Sequence, residues 1–311
     1  MPSANDFISD TARYDAIVVG GSYAGLSATL ALARARKRVL VIDAGQRRNR
    51  FAHAAHNLIG QDSRAPEAII RDARADVAVY PTVTFIDGLA IAAVPDDAGF
   101  TVTLQDGSTH LAARLVLATG VADELPALPG LRDGWGKWAF HCPYCHGYEV
   151  AGQKLGVLAF LETATHLANL IPDWGPTTFL TNSVVTLTPD ERNALEGRGV
   201  VVEDTAVSAI VHDDESMSGV RLEDGRVIEL DALFVAAPTR QASPLAAQLG
   251  CAIDETALGP IIQVDPRGQT TVPGVFAAGD AAQPNKSLAG AIASGMLAGA
   301  GAHQSLLAPL H

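Results

Sequence analysis

The segment that most constrains the fold is residues 14–43, YDAIVVGGSYAGLSATLALARARKRVLVID. Residues 14–19 are apolar and rich in β-branched side chains, which predicts a buried strand. After a glycine-containing turn, the Ala- and Leu-rich stretch 24–36 has no helix breaker and predicts a helix. A second apolar strand is predicted over 38–42. A strand, a tight turn, a helix and a parallel strand in this order form a βαβ unit of the dinucleotide-binding kind.

The turn of this unit, 20–25, has the sequence GGSYAG and departs from the G-x-G-x-x-G pattern at one position. Gly20 is expected to make the tight turn, and Gly25 to let the helix approach the strand. Ser22 replaces the middle glycine, and its hydroxyl can donate to a phosphate. The helix N-terminus offers N–H groups to the same phosphate. Asp43, at the end of the second strand, is placed to accept hydrogen bonds from ribose hydroxyls.

The chain also contains an internal repeat. The stretch 102–120, VTLQDGSTHLAARLVLATG, resembles 220–238, VRLEDGRVIELDALFVAAP. Both predict a hairpin with Asp-Gly at the turn, followed by an apolar strand. Each stretch follows a βα segment, and the second of these segments begins at residue 152. We therefore predict two related α/β domains of the Rossmann type.

The second copy lacks the features of a nucleotide site. Its residues 159–164, AFLETA, align with the first glycine turn, so Phe160 and Leu161 stand where bare backbone is needed. Glu162 adds negative charge near the phosphate position. The following strand, 177–183, ends without an acid for a ribose diol and without an arginine cluster for a 2′-phosphate. A domain kept for structure is the favoured interpretation, and nicotinamide binding by an unusual route is the alternative.

Composition and charge restrict the class of protein. The 311 residues are 48% apolar and 18% charged, which is typical of a globular chain. The formal net charge of -12 disfavours nucleic acid as a partner. No apolar run reaches the length of a membrane span, and the first residues lack the pattern of a signal peptide. We therefore expect a cytoplasmic protein that does not bind membranes.

Two of the three cysteines lie in FHCPYCHGYE, 140–149, where Cys142 and Cys145 form a C-x-x-C-H pattern. This pattern is compatible with c-type haem attachment, with half of a zinc site or with a redox-active dithiol. Haem attachment normally follows export, and the flanking histidines are poorly spaced to wrap one zinc ion. Cys251 lies in an apolar context and is expected to be buried. A dithiol that opens and closes is therefore favoured, and no bound metal is expected.

Four segments in order resemble the low-molecular-weight thioredoxin reductase family of flavoproteins. They are the glycine turn with Asp43, LVLATG at 115–120, the C-x-x-C pattern, and TVPGVFAAGDAA at 271–282. The resemblance runs from residue 14 to the C-terminal helix. It implies FAD as the cofactor and an α/β fold with two Rossmann-like, three-layer ββα domains. It also implies a homodimer, in keeping with the closed symmetry that oligomers prefer.

The same resemblance places the domain boundaries and the cofactor site. The FAD domain is expected to be discontinuous, 1–121 and 242–311, and the domain with the cysteine pair is expected at 122–241. The small-residue helix near the C-terminus is expected to return to the first domain and to pack closely on a sheet. The residues expected to bind FAD are Gly20, Ser22, Tyr23, Ala24, Gly25, Asp43, Arg50, Ala118, Thr119, Gly120, Gly279, Asp280, Ser287 and Leu288.

Two departures separate this chain from the reductases of that family. The nicotinamide motif is missing, and His146 follows the second cysteine where the reductases have an aspartate. CPYCHGYE instead resembles a subgroup of FAD-dependent dithiol oxidases, which close disulfides in natural products such as gliotoxin and holomycin. The segment 47–62, RRNRFAHAAHNLIGQD, is also similar to bacterial members of that subgroup.

The resemblance implies that Cys142 exchanges with the substrate and that Cys145 passes electrons to the flavin. Pro143 suits an early helical position, so the cysteines are expected at a helix start, whose dipole favours a thiolate. His146 can take or give a proton near neutral pH. Electrons would run from a small dithiol, or a thioredoxin-like protein, through the cysteines and FAD to O2, releasing hydrogen peroxide.

Three other functions stay open at this point. They are a NAD(P)H-dependent reductase of a thioredoxin-like protein, a reductase supplied by a donor such as ferredoxin, and a non-catalytic redox-sensing flavoprotein. Some residues are ambiguous as well. His53 and His56 are expected to line the groove beside the flavin or to cap a loop, with metal binding as the alternative. The arginines of QRRNR, 46–50, either reach the FAD phosphates or face solvent.

Overall fold

The computed structural model describes residues 13–213 and 215–307. The predicted lack of a signal peptide rests on residues 1–21, of which 1–12 lie outside the described residues, so the cytoplasmic location stays a prediction. No helix in the two described ranges combines the length and the apolar character needed to cross a bilayer. The chain forms two compact units. Within the described residues, unit 1 contains 13–50, 67–122 and 240–307, and unit 2 contains 51–66 and 123–239.

The strands of both units are short. They are β1 (Tyr14–Val19), β2 (Val39–Asp43), β3 (Val83–Asp87), β4 (Ala90–Asp96), β5 (Gly99–Leu104), β6 (Thr109–Leu117), β7 (Val121–Asp123), β8 (Ala139–Phe140), β9 (Leu155–Leu158), β10 (Thr177–Leu180), β11 (Val201–Glu203), β12 (Val207–His212), β13 (Met217–Leu222), β14 (Val227–Ile228), β15 (Ala232–Val235), β16 (Thr239–Gln241), β17 (Ile253–Thr256), β18 (Gly259–Ile262) and β19 (Val275–Ala277). The α-helices are α1 (Tyr23–Arg34), α2 (Pro66–Ala78), α3 (Pro143–His146), α4 (Ala164–Leu170), α5 (Pro189–Gly197), α6 (Leu245–Gln248) and α7 (Leu288–Ser305).

The main sheet of unit 1 has the order β3-β2-β1-β6-β5-β4, and β19 pairs with β6. Strands β1, β2, β3 and β19 run parallel to their neighbours, whereas β4, β5 and β6 form an antiparallel meander. The predicted βαβ unit is confirmed: β1 has the predicted bounds, and α1 and β2 differ from them by one or two residues. Every residue from Ala16 to Val19 is buried, as expected for a strand covered on both faces.

Unit 2 repeats the central part of this topology, as the sequence repeat predicts. Its parallel sheet has the order β11-β10-β9-β15-β8, so β11-β10-β9-β15 correspond to β3-β2-β1-β6. The correspondence includes the turn after the first strand. The N–H of Gly20 donates to the oxygen of Ile42 at 2.8 Å, and the N–H of Ala159 donates to that of Leu180 at 3.0 Å. The predicted α/β class with two Rossmann-like domains is therefore confirmed.

Both predicted Asp-Gly hairpins are present. Asp106-Gly107 joins the antiparallel strands β5 and β6, and Asp224-Gly225 joins β13 and β14. Both glycines have a positive φ, 88° and 89°, which favours glycine at the turn. The aspartate preceding each glycine accepts a hydrogen bond from the second residue after itself, the N–H of Ser108 or of Arg226. The two copies therefore share turn chemistry as well as topology.

The C-terminal helix α7 belongs to unit 1, but its closest neighbour is not the predicted one. Small residues of α7 lie directly against α1 rather than mainly against the sheet. A Cβ on Gly295 would overlap the carbonyl oxygen of Ala24, and a Cβ on Gly299 would overlap that of Ala28. The glycines therefore allow the two helix backbones to touch, and the small residues serve helix–helix packing.

The segment 51–66 clusters with unit 2, although the sequence-based boundary placed it in the first domain. The contact involves Gly136, which has a positive φ of 82°; a Cβ there would lie 2.9 Å from the Cβ of Phe51. This segment is an insertion that follows β2 in the chain but packs with residues more than 80 positions later. Local sequence pattern contains no information about such a long-range contact.

The packing of α7 on α1 predicts a specific loss of stability. Gly299→Ala should cost about 1–3 kcal/mol, because the added methyl group overlaps the backbone of α1. This should lower the apparent melting temperature by roughly 3–8 °C, measured by thermal unfolding. Gly197→Ala is the matched control, since Gly197 ends α5 with no atom within 4 Å of the added Cβ. Equal melting temperatures for the two variants would show that α7 can move away from α1.

Candidate functional site

The turn between β1 and α1 requires glycine at two positions. Gly20 has a φ of 106°, and a Cβ there would overlap the carbonyl oxygen of Ala118 at the end of β6. A Cβ on Gly25 would overlap the carbonyl oxygen of Gly20, so only glycine lets the first turn of α1 close onto the strand. Gly20, Gly25 and Ala118 are thus brought together, as the sequence predicted. The bare backbone is what allows a bulky phosphate group to approach closely.

The start of α1 is suited to bind an anion. The first N–H groups of an α-helix have no partner within the helix, and they point toward its N-terminal end. Ser22 is the N-cap residue, and its side chain makes no capping hydrogen bond. Its hydroxyl therefore stands beside these N–H groups and can donate to a phosphate, as the sequence analysis expected for Ser22.

Asp43 lies beside the same turn. It is the last residue of β2, and a Cβ on Gly21 would be 2.8 Å from the Cβ of Asp43 and 3.0 Å from its Oδ2. The carboxylate therefore lies against Gly21, which follows Gly20 in the tight turn. This is the position from which an acid accepts hydrogen bonds from the ribose hydroxyls of a bound dinucleotide.

The turn after β19 completes this edge of the sheet in unit 1. Gly279 has a φ of 71°, and a Cβ there would be 2.9 Å from the Cβ of Ala24. The next residue, Asp280, forms an ion pair of 3.2 Å with Arg48, and both side chains are about one-fifth exposed. Ala24, Gly279 and Asp280 are therefore neighbours at the carboxyl ends of β1 and β19, as predicted.

Two residues of this edge were not identified from the sequence. Arg48 holds Asp280, and Asn49 donates from Nδ2 to the hydroxyl of Tyr23 at 3.2 Å. Burial raises the pKa of Tyr23 above its usual value, so the ring hydroxyl stays protonated near neutral pH. The sequence analysis singled out Arg50 from the arginine-rich stretch after Asp43, whereas the arginine that pairs with Asp280 is Arg48.

The other residues predicted to bind the cofactor lie in exposed, helix-capping or turn positions. Arg50 is exposed and donates to the carbonyl oxygen of Arg47 at 2.7 Å. Ser287 caps α7 by accepting from the N–H of Gly290, and Leu288 is the first residue of that helix. Thr119 follows Ala118 directly, and Gly120 makes the next turn with a φ of 66°. A role of these residues in binding FAD stays a prediction.

Two buried polar atoms support the fit of unit 1 to a large polar cofactor. Arg47 Nε and Gln241 Oε1 are buried and have no hydrogen-bond partner among the described residues. The amide nitrogen of Gln241 donates to the oxygen of Ala281, directly after Asp280. Buried polar atoms are normally satisfied, so unmet ones at this edge are consistent with a bound molecule that completes their bonds. Gly20 and Gly25 form a glycine cradle at the start of α1. Together with this glycine cradle, the residues present fit FAD.

Unit 2 contains the cysteine pair as a disulfide. Cys142 and Cys145 are bonded, with their Cα atoms 5.3 Å apart. Cys142 is the extended N-cap residue of α3 and Pro143 is the first residue of the helix, as predicted. However, α3 has only four residues. A one-turn helix has a small dipole, so the expected electrostatic help for a thiolate is weaker than the sequence suggested.

His146, which directly follows the disulfide, has a defined environment. Its ring stacks on Phe140, with ring centroids 4.5 Å apart and planes inclined by 17°. Burial lowers the pKa of His146 below its usual value; the Glu149 carboxylate acts in the opposite direction, and His56 adds to the lowering. The imidazole is therefore predominantly neutral at pH 7 and can accept a proton.

Two exposed aromatic residues lie within or directly after the cysteine motif in the chain. Tyr144, between the two cysteines, is 62% exposed and meets Trp174 edge to face, with centroids 5.8 Å apart. Tyr148 is 84% exposed. Gly147 gives Trp174 access to α3, since a Cβ there would be 2.7 Å from the indole nitrogen. Exposed aromatic rings beside a reactive disulfide can contact an apolar ligand.

The second copy of the nucleotide turn differs from the first in its contacts and in its helix start. Phe160 packs on the hydrophobic core of unit 2, and the side chain of Asn182 takes part in two backbone hydrogen bonds. Its amide donates to the oxygen of Ala159 at 3.1 Å and accepts from the N–H of Val207 at 2.9 Å. Helix α4 begins only at Ala164, two residues later than α1 does in the aligned turn. The second turn therefore does not repeat the glycine-lined helix start of the first.

The structure also shows the surroundings of the two histidines of the 51–66 segment and of the third cysteine. His53 is exposed, and the ring nitrogens of His56 face two carboxylates. Over residues 13–213 and 215–307 no group of three or more His, Cys, Asp or Glu side chains has an arrangement that could hold a metal ion. Cys251 is buried, as expected, and its thiol donates to the hydroxyl of Thr270.

The sequence matches the family model described as pyridine nucleotide-disulphide oxidoreductase over residues 14–158 and 186–298. Among curated proteins, thioredoxin reductase sirT of Leptosphaeria maculans is 32% identical in an alignment of 305 positions that covers 93% of this chain and 93% of that one. The residues that match the family model lie in both units and include Cys142 and Cys145.

Two solved structures share this fold at substantial identity. An oxidoreductase from Agrobacterium tumefaciens has a TM-score of 0.91 and 46% identity, over 95% of this chain and 99% of that one. The crystal structure of HlmI has a TM-score of 0.88 and 35% identity, over 95% of this chain and 93% of that one.

The glycine cradle predicts how a cofactor would be lost. Gly25→Ala should weaken flavin binding about tenfold or more, because the methyl group pushes α1 away from the Gly20 carbonyl. The flavin absorbance of the purified protein relative to its protein absorbance measures this loss. Ala164→Gly, at the matching position of unit 2, should leave the flavin content unchanged. A Gly25→Ala protein with full flavin content would contradict this assignment of the cofactor site.

Proposed function

The chain belongs to the pyridine nucleotide-disulphide oxidoreductase family as a thioredoxin reductase-like, FAD-dependent thiol-disulfide oxidoreductase, and on this basis we propose that it is a dithiol oxidase. The proposed substrate is a small dithiol, and the proposed terminal electron acceptor is O2. One observation carries the proposal. Unit 2 combines an intact disulfide and His146 with a second nucleotide turn that lacks glycines and in which Phe160 packs on the core.

The disulfide supplies the first half of the chemistry. A substrate thiolate attacks the sulfur of Cys142, the Cys142–Cys145 bond breaks, and Cys145 leaves as a thiolate. The second substrate thiolate then attacks the substrate sulfur joined to Cys142, closes the new disulfide and releases the Cys142 thiolate. The substrate loses two electrons and the cysteine pair gains them. Two thiol protons must leave the substrate.

His146 is the proposed acceptor for one of these protons. Its ring is held by the stack on Phe140, and its lowered pKa keeps it neutral at pH 7. A neutral imidazole next to the disulfide can deprotonate an incoming thiol, which is only weakly ionised at this pH. The aspartate found at this place in the related reductases has a much lower ordinary pKa than histidine, so His146 is the stronger base.

The residues proposed to hold the cofactor are in unit 1. Ser22 and the first N–H groups of α1 would bind the pyrophosphate, Asp43 the ribose, and Asp280, held by Arg48, the flavin side of the molecule. When bound, FAD supplies a two-electron acceptor for the reduced cysteines and a reduced ring that O2 reoxidises with release of hydrogen peroxide.

The surroundings of the disulfide favour a small apolar dithiol over a thioredoxin-like protein. Tyr144 and Tyr148 expose large aromatic areas next to the cysteines, and Trp174 supports the ring of Tyr144. Aromatic side chains of this kind recognise flat or apolar molecules through their ring faces. A protein substrate stays the alternative, and the experiment below compares the two directly.

The proposed homodimer is supported by helix α7. Helix α7 exposes an apolar stripe of Ile292, Met296 and Leu297, which are 37%, 47% and 44% exposed. A second copy of the chain would cover this apolar stripe by closed twofold symmetry. The location in the cytoplasm is proposed on the sequence features alone.

Light scattering should therefore give a mass of two chains for the wild-type protein. Met296→Glu should shift the mass toward one chain, because a carboxylate in the centre of an apolar interface is costly to bury. Val227→Glu, at an equally exposed apolar residue of unit 2, should leave the mass unchanged. A one-chain mass for the wild-type protein would reject the dimer.

The proposed function is tested by anaerobic reduction of the bound flavin. A small dithiol such as dithiothreitol should bleach the flavin absorbance, whereas NADPH and NADH should not. Readmitting air should restore the absorbance and produce hydrogen peroxide in proportion to the dithiol consumed. The Cys142→Ser/Cys145→Ser double variant is the control, and its flavin should stay oxidised when dithiol is added.

Other outcomes of the same experiment would identify the alternatives. Rapid bleaching by NADPH would contradict the proposed loss of the second nucleotide site and indicate a pyridine-nucleotide-dependent reductase. Bleaching by reduced ferredoxin alone would indicate a reductase with that donor. Faster reaction with a reduced thioredoxin-like protein than with any small dithiol would reject the small-molecule substrate. A single turnover in air would indicate a redox sensor.

A further inference from the structure

The side chain of Trp174 lies against the short helix that carries the disulfide. Its ring meets Tyr144 edge to face, with ring centroids 5.8 Å apart and planes inclined by 85°. A Cβ on Gly147 would be 2.7 Å from the indole nitrogen and 2.8 Å from the indole Cδ1, so the indole lies directly on the backbone at the end of α3. Trp174 therefore contacts this helix at two points, one between the two cysteines in sequence and one directly after His146.

The indole is itself held by the core of unit 2. Trp174 is partly buried and packs against the hydrophobic cluster that contains Phe140. Its main-chain oxygen accepts from the N–H of Gly152 at 2.7 Å. Phe140 stacks on His146, the last residue of α3, with ring centroids 4.5 Å apart. The core of unit 2 therefore contacts α3 through two aromatic rings whose own positions are fixed.

Helix α3 needs this support because it has only four residues. The N–H of Gly147 donates to the oxygen of Pro143 at 2.6 Å and closes its single turn. One helical turn is not stable by itself in water, since the entropy lost in fixing its residues exceeds the contribution of so few hydrogen bonds. Packing against the aromatic rings is therefore what keeps the turn wound.

A wound α3 holds the two cysteines at bonding distance. The Cα atoms of Cys142 and Cys145 are 5.3 Å apart, within the range that a disulfide requires. When the pair is reduced, the covalent bond no longer holds the cysteines together, and the packing of α3 keeps each thiol near the other. The equilibrium between dithiol and disulfide depends on this effective concentration. Support of α3 therefore favours the closed, oxidised pair.

We propose that Trp174 is a positioning residue for the cysteine pair: by keeping α3 wound, it shifts the equilibrium of Cys142 and Cys145 toward the disulfide. The inference deepens the proposed function, because it rests on this pair as the group that exchanges with the substrate. A more stable disulfide is a weaker oxidant. Trp174 thus restricts the substrate to dithiols whose own closed form is stable.

Trp174 also has an ordinary structural role, because it packs against the core. A purely structural role predicts that loss of the indole lowers the melting temperature and leaves the redox equilibrium unchanged. The proposal predicts that the equilibrium shifts as well. Trp135 supplies the comparison, since it is a partly buried tryptophan of unit 2 that packs against a different hydrophobic cluster.

The test is an anaerobic redox titration of the FAD-loaded protein in buffers of reduced and oxidised glutathione, extended to lower potential with reduced and oxidised dithiothreitol. In the glutathione buffers, two molecules of reduced glutathione give two electrons and two protons to the protein disulfide and form glutathione disulfide. Acid quenching, alkylation and mass spectrometry of the peptide with Cys142 and Cys145 give the reduced fraction of the pair. The flavin absorbance of the same samples gives the state of the flavin.

Trp174→Leu should lower the equilibrium constant for disulfide formation about three- to tenfold, the range expected for loss of an aromatic pair. This change makes the reduction potential of the pair less negative by about 14–30 mV. Trp174→Phe keeps an aromatic ring and should restore part of the wild-type value. Tyr144→Leu should shift the equilibrium in the same direction, although leucine favours a helix more than tyrosine does. Trp135→Leu, the matched control, should lower the melting temperature and leave the equilibrium constant unchanged.

An unchanged equilibrium constant in Trp174→Leu, or an equal shift in Trp135→Leu, would overturn the proposal. If Trp174→Leu does not fold, Tyr144→Leu decides, because that side chain is 62% exposed and lies outside the core. The titration involves neither turnover nor O2, so these outcomes do not bear on the electron acceptor. A pair that stays closed in every buffer, by contrast, would reject both the proposed function and this inference.

Discussion

The close approach of backbone to backbone at the first turn is the constraint on which the cofactor unit depends. Gly20 lies against the Ala118 carbonyl and Gly25 against the Gly20 carbonyl, so no side chain larger than hydrogen fits at either position. This closure brings the start of α1 to the edge of the sheet, where its N–H groups are available to an anion. The same principle recurs behind the turn, where Gly295 and Gly299 let α7 lie on the backbone of α1.

The second unit shows what happens to the same topology when that constraint is released. Ala159 and Ala164 stand where unit 1 has Gly20 and Gly25. With a Cβ at both positions the helix cannot close onto the strand in the same way, and α4 begins two residues later than α1. Phe160 and Asn182 then occupy the region with core packing and backbone hydrogen bonds. The sheet order is retained, because it depends on the buried strands and not on the turn.

The chemistry of unit 2 is located at a different place, the short connection between β8 and β9. A closed disulfide, a stacked histidine and exposed aromatic rings lie within ten residues of each other there. The arrangement joins a group that transfers electrons, a group that transfers protons and a surface that can recognise a substrate. The insertion 51–66 adds His56 to this connection from a distant part of the chain.

The sequence by itself determined the βαβ unit, the internal repeat, the two hairpins, the cysteine pair and the loss of the second nucleotide motif. Each of these depends on local pattern, namely the period of apolar residues, glycine where the backbone is crowded, or Asp-Gly at a tight turn. The tertiary structure alone decided that Arg48 pairs with Asp280, that α7 packs on α1, and that the 51–66 segment joins unit 2. Those contacts join residues from about 80 to more than 260 positions apart, and many equivalent arginines, small residues and loops were available to make them. Local preferences cannot choose among such partners, because the choice depends on which surfaces the folded sheets bring together.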